Sequence, residues 1–260
     1  MDQIVQQFGE QQVLAFFLVL ARISPLFVMA PLFSSQMLPA RVRGIVAVAL
    51  AIGLAPVVGR GAHVPDPTVI EIVELVGKEL LIGLAFAFAL GALFAAIAVA
   101  GTFLDTLIGF SFGAVLDPIT GTQSAVISQL YGLLGVLIFI AIGGDAWVIQ
   151  GLAKTYEIVP LDSAPALPAM LTGVETAFAG IFSAAIQVSG PIVLALILTD
   201  AAFGIVSRVV PQLNVFAVGL PAKVLVGLLV CAASLPFVAG WIQSELQSSV
   251  QVALGSLGVS

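Results

Sequence analysis

Charge is what this sequence is poorest in. Only 8% of its 260 residues are Asp, Glu, Lys or Arg, against 60% hydrophobic, whereas a soluble domain keeps its surface wet with about 25% charged residues. Eight basic and 14 acidic side chains are too few to coat a globule, so lipid or other apolar protein must stand where water would. Cysteine and histidine occur once each. A lone Cys231 in an apolar run excludes an intramolecular disulfide and a cysteine metal cluster, and is expected to fill a small core position. A lone His63, in Gly61-Ala62-His63-Val64-Pro65, excludes two-histidine catalytic arrangements and most zinc sites, and reads as a loop residue. The eight cations are scattered and the net charge is −6, so no basic track exists to neutralise phosphates and nucleic acid is not a partner. A phosphate-binding glycine loop followed by Lys-Ser/Thr is missing too. No catalytic residue, cofactor or metal is expected.

What remains is apolar chain, with a mean hydropathy of +1.21. Six apolar stretches stand out, at about 13–33, 45–58, 69–104, 125–149, 173–206 and 222–242. Helix is the way to satisfy backbone groups in such a medium without a closed barrel, and barrel-type alternation is not seen. The residues before the first stretch are acidic and Gln-rich, unlike a signal peptide, so that stretch is expected to stay in the mature protein. Asp66-Pro67, with Glu71 and Glu74 beyond, predicts a capped start for the third helix. Thr172 and Glu175 have capping-box spacing and predict the start of the fifth. Pro191 is expected to kink the fifth helix or split it into a hairpin. Pro211 and Pro221 bracket the joint before the sixth. The second stretch is short for a crossing of about 20 residues and the third and fifth are long, so packing on protein is expected to matter as much as lipid. Leu38-Pro39-Ala40-Arg41-Val42 and Leu220-Pro221-Ala222-Lys223-Val224 are similar, consistent with a duplicated hairpin. Arg41 and Lys223 then sit at helix starts, where the macrodipole disfavours a cation and an outside acid or anionic lipid would compensate.

Arg22, Asp105 and Asp200 lie within or beside apolar runs, where a charge needs a partner or an aqueous cavity. Each is either part of a proton or ion relay, or a snorkelling helix end or a structural ion pair with a neighbouring subunit. The segment 101–124, GTFLDTLIGFSFGAVLDPITGTQS, joins loosening glycines to Phe103, Phe110 and Phe112. Irregular apolar backbone is tolerated where protein buries it or where it lines a cavity. It is therefore either a hydrophobic constriction that closes a conduit by dewetting or a re-entrant packing loop. Small residues from Gly83 to Gly91 and from Ala177 to Gly180 allow close helix contacts.

Several stretches in order carry a family resemblance. They are Ala21-Arg22-Ile23, Ala30-Pro31-Leu32-Phe33, Leu38-Pro39-Ala40-Arg41-Val42-Arg43, Lys78-Glu79-Leu80-Leu81-Ile82-Gly83, and Gly101 with Asp105 and Gly109-Phe110-Ser111. Asp117-Pro118 and Pro211-Gln212-Leu213-Asn214-Val215-Phe216-Ala217-Val218-Gly219-Leu220-Pro221-Ala222-Lys223 complete the set. Over nearly its whole length the chain resembles the FliR family, the R component of the flagellar type III export gate, and its virulence-secretion relatives. The resemblance implies an all-α fold of integral membrane helical hairpins, about six apolar segments, assembled into a hetero-oligomeric helical gate. It implies a single subunit over 1–260, with a plug-like loop at about 105–123. Its implied partners are the P and Q components, the B component, the large export-gate A protein, membrane lipid and unfolded flagellar substrates. The implied place is the bacterial inner membrane at the flagellar basal body. Gly109, Phe110, Ser111, Phe112, Gly113, Asp117 and Pro118 are the residues carried over to the pore plug. Arg22, Pro39, Arg41 and Arg43 are carried over to assembly and partner contact, as are Glu79, Asn214, Pro221 and Lys223.

A non-enzymatic export-gate subunit is thus the reading of the sequence. A small-solute transporter with a midplane site on a helix broken near Pro191 and Asp200 is its rival. An intramembrane protease fails for want of a paired nucleophile and base.

Overall fold

An apolar chain that must satisfy every peptide group internally has little choice but long helices, and the computed structural model contains them. It describes residues 2–30, 39–58, 67–110, 125–212 and 214–257. Among these, no strand occurs, and eight helices follow in order. They are α1 (Asp2–Ile23), α2 (Leu26–Met29), α3 (Ala40–Val58), α4 (Val69–Ile108), α5 (Val126–Ala141), α6 (Gly144–Ile158), α7 (Leu167–Val209) and α8 (Val215–Leu257). Five are long and apolar enough to cross a membrane, or six if the interrupted stretch 126–158 counts as one.

The segment boundaries differ from expectation in ways that have local causes. The first segment stops at Ser24-Pro25, where the Ser24 hydroxyl bonds back to the Ala21 carbonyl and a short α2 follows. The second is not short: it begins directly after Pro39 and runs for 19 residues. The third is capped by Thr68, two residues later than predicted, through a reciprocal capping box. Thr68 N–H donates to Glu71 at 2.7 Å and the Glu71 N–H returns to the Thr68 hydroxyl at 3.4 Å; Asp66 lies outside the described residues. The fourth breaks at Gly143, whose φ of +70° only glycine adopts cheaply, and its carbonyl then accepts the Ala146 N–H that opens α6.

The fifth and sixth helices both outrun their predicted ends. Thr172 is no cap, because α7 has already begun at Leu167 and its hydroxyl bonds to the Pro168 carbonyl within the helix. Pro191 lies inside an α7 of 43 residues and does not split it. Pro221 and Pro236 likewise sit inside α8, also 43 residues. Leu38 lies outside the described residues. Pro39 precedes a helix start whereas Pro221 does not, so the two similar pentapeptides hold different helical positions and the duplicated hairpin is not seen. Without competing water, the chain gains more by continuing the backbone ladder than by stopping at a proline.

The described residues form two compact units. One comprises residues 1–92, 143–178 and 246–260; the other comprises 93–142 and 179–245. In the first, α1 packs along α3, and a cluster of Ile82, Ala85, Val159, Met170 and Leu257 forms part of the core. The end of α8 enters this unit on Leu246, Val250, Ala253 and Leu257, all buried, at the spacing of one helical face. The core of the second includes Leu104, Ile108, Ile127 and Tyr131. Cys231 is buried there, as expected, with its sulfur 3.7 Å from the Tyr131 hydroxyl. α3 is mostly exposed, with 17% of its most apolar stretch buried, against 56% for α4. Helix α4 is therefore the one that the chain itself covers, and α3 is left for lipid or other protein.

Candidate functional site

The largest buried polar group in the first unit is Arg22, in the last turn of α1. Its side chain and that of Glu79 on α4 are both 0% exposed. The guanidinium grips the carboxylate with two donors, Nε to Oε2 and Nη2 to Oε1, the second at 3.0 Å. Nη1 donates to the Thr155 carbonyl at 3.0 Å and to its hydroxyl at 3.3 Å, and Nη2 donates to the Val159 carbonyl at 2.9 Å. All five donors of the planar fork are thereby used. The Tyr156 ring lies 4.1 Å from the guanidinium carbon, and its hydroxyl donates to the Val19 carbonyl.

Lys78 extends the network. Its ammonium lies 3.8 Å from Glu79 and donates to the carbonyls of Leu161 and Ser163 at 2.6 and 2.7 Å. Both cations thus meet carbonyls at and just beyond the C-terminus of α6, the end at which a helix dipole favours positive charge. Four parts of the chain are tied together: α1, α4, α6 and the turn after it. A charge buried alone would be prohibitive; one that is paired and hydrogen-bonded on every side is not.

In the second unit, Asp105 lies in the last turn of α4. Its two oxygens accept the Ile127 and Ser128 N–H groups at 2.8 and 2.9 Å. Lys223 Nζ meets both oxygens of Asp200 at 2.9 Å. Asn214 caps α8, its side-chain oxygen accepting the Ala217 N–H at 3.2 Å. All three charges that posed the question in the sequence meet partners inside the chain, not the neighbouring subunit that was the expected source of an ion pair. The transporter reading loses its broken helix, since α7 runs on through Pro191 and Asp200.

Of the residues assigned to partner contact, Arg22 and Glu79 come together in the buried pair. Pro39, Arg41, Asn214 and Pro221 are exposed, and Arg43 and Lys223 are half-buried. Of those assigned to the plug, Gly109 and Phe110 are half-buried at the end of α4. Ser111, Phe112, Gly113, Asp117 and Pro118 lie outside the described residues. Thr155, Tyr156 and Val159 were not picked out in the sequence. Carbonyl acceptors leave no trace in residue type, and only the arrival of an Arg in an apolar helix hints that some must be near.

Long apolar helices held together by internally satisfied buried charges define an integral membrane protein of the helical class. Residues 13–249 match the model of bacterial export proteins, family 1. The chain belongs to this family, that of the FliR components of type III export. It is 34% identical to the flagellar biosynthetic protein FliR of Bacillus subtilis (strain 168) over 258 residues, 95% of this chain and 96% of the relative. With the FliR of Escherichia coli (strain K12) it shares 27% over 226 residues, 86% and 85% of the two chains. With the surface presentation of antigens protein SpaR of Shigella flexneri it shares 24% over 222 residues, 84% and 85%.

Proposed function

We propose that this chain is a structural, non-enzymatic subunit of the flagellar export gate, in the bacterial inner membrane at the basal body. In this reading it joins the P and Q components and contacts the B component and the large A protein. Together they form the conduit through which unfolded flagellar proteins leave the cytoplasm. The apolar segment around 105–123 closes that conduit at rest, and other components supply the energy. The observation that carries the reading is the match to a flagellar relative over 95% of the chain at 34% identity.

Two physical features support it. Helices of 40 to 43 residues hold about twice the 20 residues that a crossing of the hydrocarbon core takes. Such helices suit a subunit wrapped largely by other subunits. Exposed apolar side chains also run the length of α7 and α8, among them Phe178, Phe182, Ile205, Leu225 and Leu229, more surface than a self-contained protein leaves open.

Replacing residues 109–113 by a flexible polar stretch should make cells leaky to small ions while the gate complex is still recovered. Unchanged permeability with the complex intact would remove the plug assignment. Loss of the complex would place these residues in assembly instead.

A further inference from the structure

Two neighbouring cavities open on the first unit, and Leu81 and Leu167 line both. The smaller, about 250 Å³, is bounded by uncharged side chains, among them Leu84, Phe88, Leu171 and Val174. The larger, about 700 Å³, is bounded by Glu71, Glu74 and Lys78 of α4 and by Asp162 in the turn after α6. Along α4 the lining recurs at 71, 74, 78, 81, 84 and 88, the spacing of one helical stripe. The two cavities thus form one groove between α4 and the chain from Asp162 to Val174. It is charged at the Glu71 end and apolar beyond Leu81.

Both parts select the chemistry of an occupant. Leu81, Leu84, Leu167 and Leu171 are exposed, and burying one such side chain gains about 1.5–3 kcal/mol. At the other end the lining holds three carboxylates, of Glu71, Glu74 and Asp162, against the one ammonium of Lys78, a net charge of −2. Lys78 is already engaged, donating to the carbonyls of Leu161 and Ser163 at 2.6 and 2.7 Å. A phospholipid tail would suit the apolar part, but its phosphate would face like charge at the other end. A lysine or arginine at the end of an apolar segment matches both parts. From Glu74 to Phe88 is about four helical turns, and a helix presents a charge and an apolar face along such a length through anchors at i, i+3, i+4 and i+7.

We infer that this groove seats an apolar helix of a partner subunit, with a lysine or arginine of that helix held by Glu71, Glu74 and Asp162. The inference rests on the reading above that the chain works as one subunit of an export gate.

The test uses the full chain co-expressed with the other gate subunits, with a photoreactive phenylalanine analogue placed at position 84 or at position 171. Both positions should cross-link to one apolar segment of one partner subunit, and that segment should hold a lysine or arginine about three turns from the residue joined to position 84. Glu74 and Asp162 are exposed, so both can be changed without opening the core. Glu74→Arg/Asp162→Arg should cut the cross-link at position 84 about tenfold, equivalent to about 1.4 kcal/mol, and changing the partner's cation to glutamate should restore it. The docking inference is overturned, with the export-gate reading left standing, if the complex is intact and the cross-links go to lipid alone or to a segment without that cation. It is equally overturned if the charge reversal leaves the yield unchanged or the partner's reversal fails to restore it. Recovery of the chain with no other subunit bound would bring down the export-gate reading, and this inference with it.

Discussion

Arg22→Met should destabilise the protein by about 3–5 kcal/mol, the loss expected when one partner of a buried ion pair is removed and the other stays. Glu79 would be left 0% exposed with only the Lys78 ammonium, 3.8 Å away. Glu79→Leu should do similar damage from the other side, stranding a guanidinium among helix carbonyls. The informative variant is the double one, Arg22→Met/Glu79→Leu. It removes both charges and puts apolar groups of similar reach in their place, a change that is often neutral where a buried pair is concerned. Here recovery should stop short of complete. The Thr155 carbonyl keeps the N–H of Val159 at 2.9 Å, but the Val159 carbonyl loses the guanidinium donor it has at 2.9 Å. A buried group without its partner costs about 1–3 kcal/mol. Denaturation of the detergent-purified complex, or the amount of complex recovered, measures all three. Single variants no weaker than the parent would mean that the pair does not hold the first unit together.

Gly83→Ala is expected to disturb the same place by a different route. Gly83 lies four residues beyond Glu79, on the same face of α4, and a Cβ there would overlap the carbonyl of Arg22. That obstacle is backbone, so α1 and α4 must move apart just where the ion pair requires them close. Overpacking of this kind costs about 1–3 kcal/mol, and lengthening the Arg22–Glu79 contact adds to it. Gly77 on the same helix makes the control, because a Cβ there meets nothing within 4 Å. Gly77→Ala should gain about 0.8–1.0 kcal/mol from helix propensity. Opposite signs for the same substitution, six residues apart, are the expected result of a stability comparison. Equal effects would show that close approach at Gly83 is not limiting.

Some of this was legible from residue types. Arg22 in an apolar run announced a buried charge needing a partner, and Pro39 stood where α3 begins. Thr68 and Glu71 have the spacing of a capping box and form one, whereas Thr172 and Glu175 have the same spacing inside α7, so the spacing by itself does not mark a helix start. The far end of α8 was missed because Gln243, Ser244 and Glu245 look like a helix end. The spacing of Leu246, Val250, Ala253 and Leu257 was the available sign that the helix goes on. The plug assignment remains tied to resemblance: Gly109 and Phe110 are placed at the end of α4, while the residues beyond them are outside the described structure.

Composition alone determined the medium and the secondary structure, because a chain with so few charges cannot face water over most of its surface and must close its hydrogen bonds within helices. Which helix continues through a proline, and which acceptors a buried charge finds, was decided only in three dimensions. Arg22 and Glu79 are 57 residues apart and Asp105 and Ile127 are 22 apart. Nothing in the chain between them encodes the pairing, since the free energy that selects it belongs to whole helices packing, not to the two residues that meet.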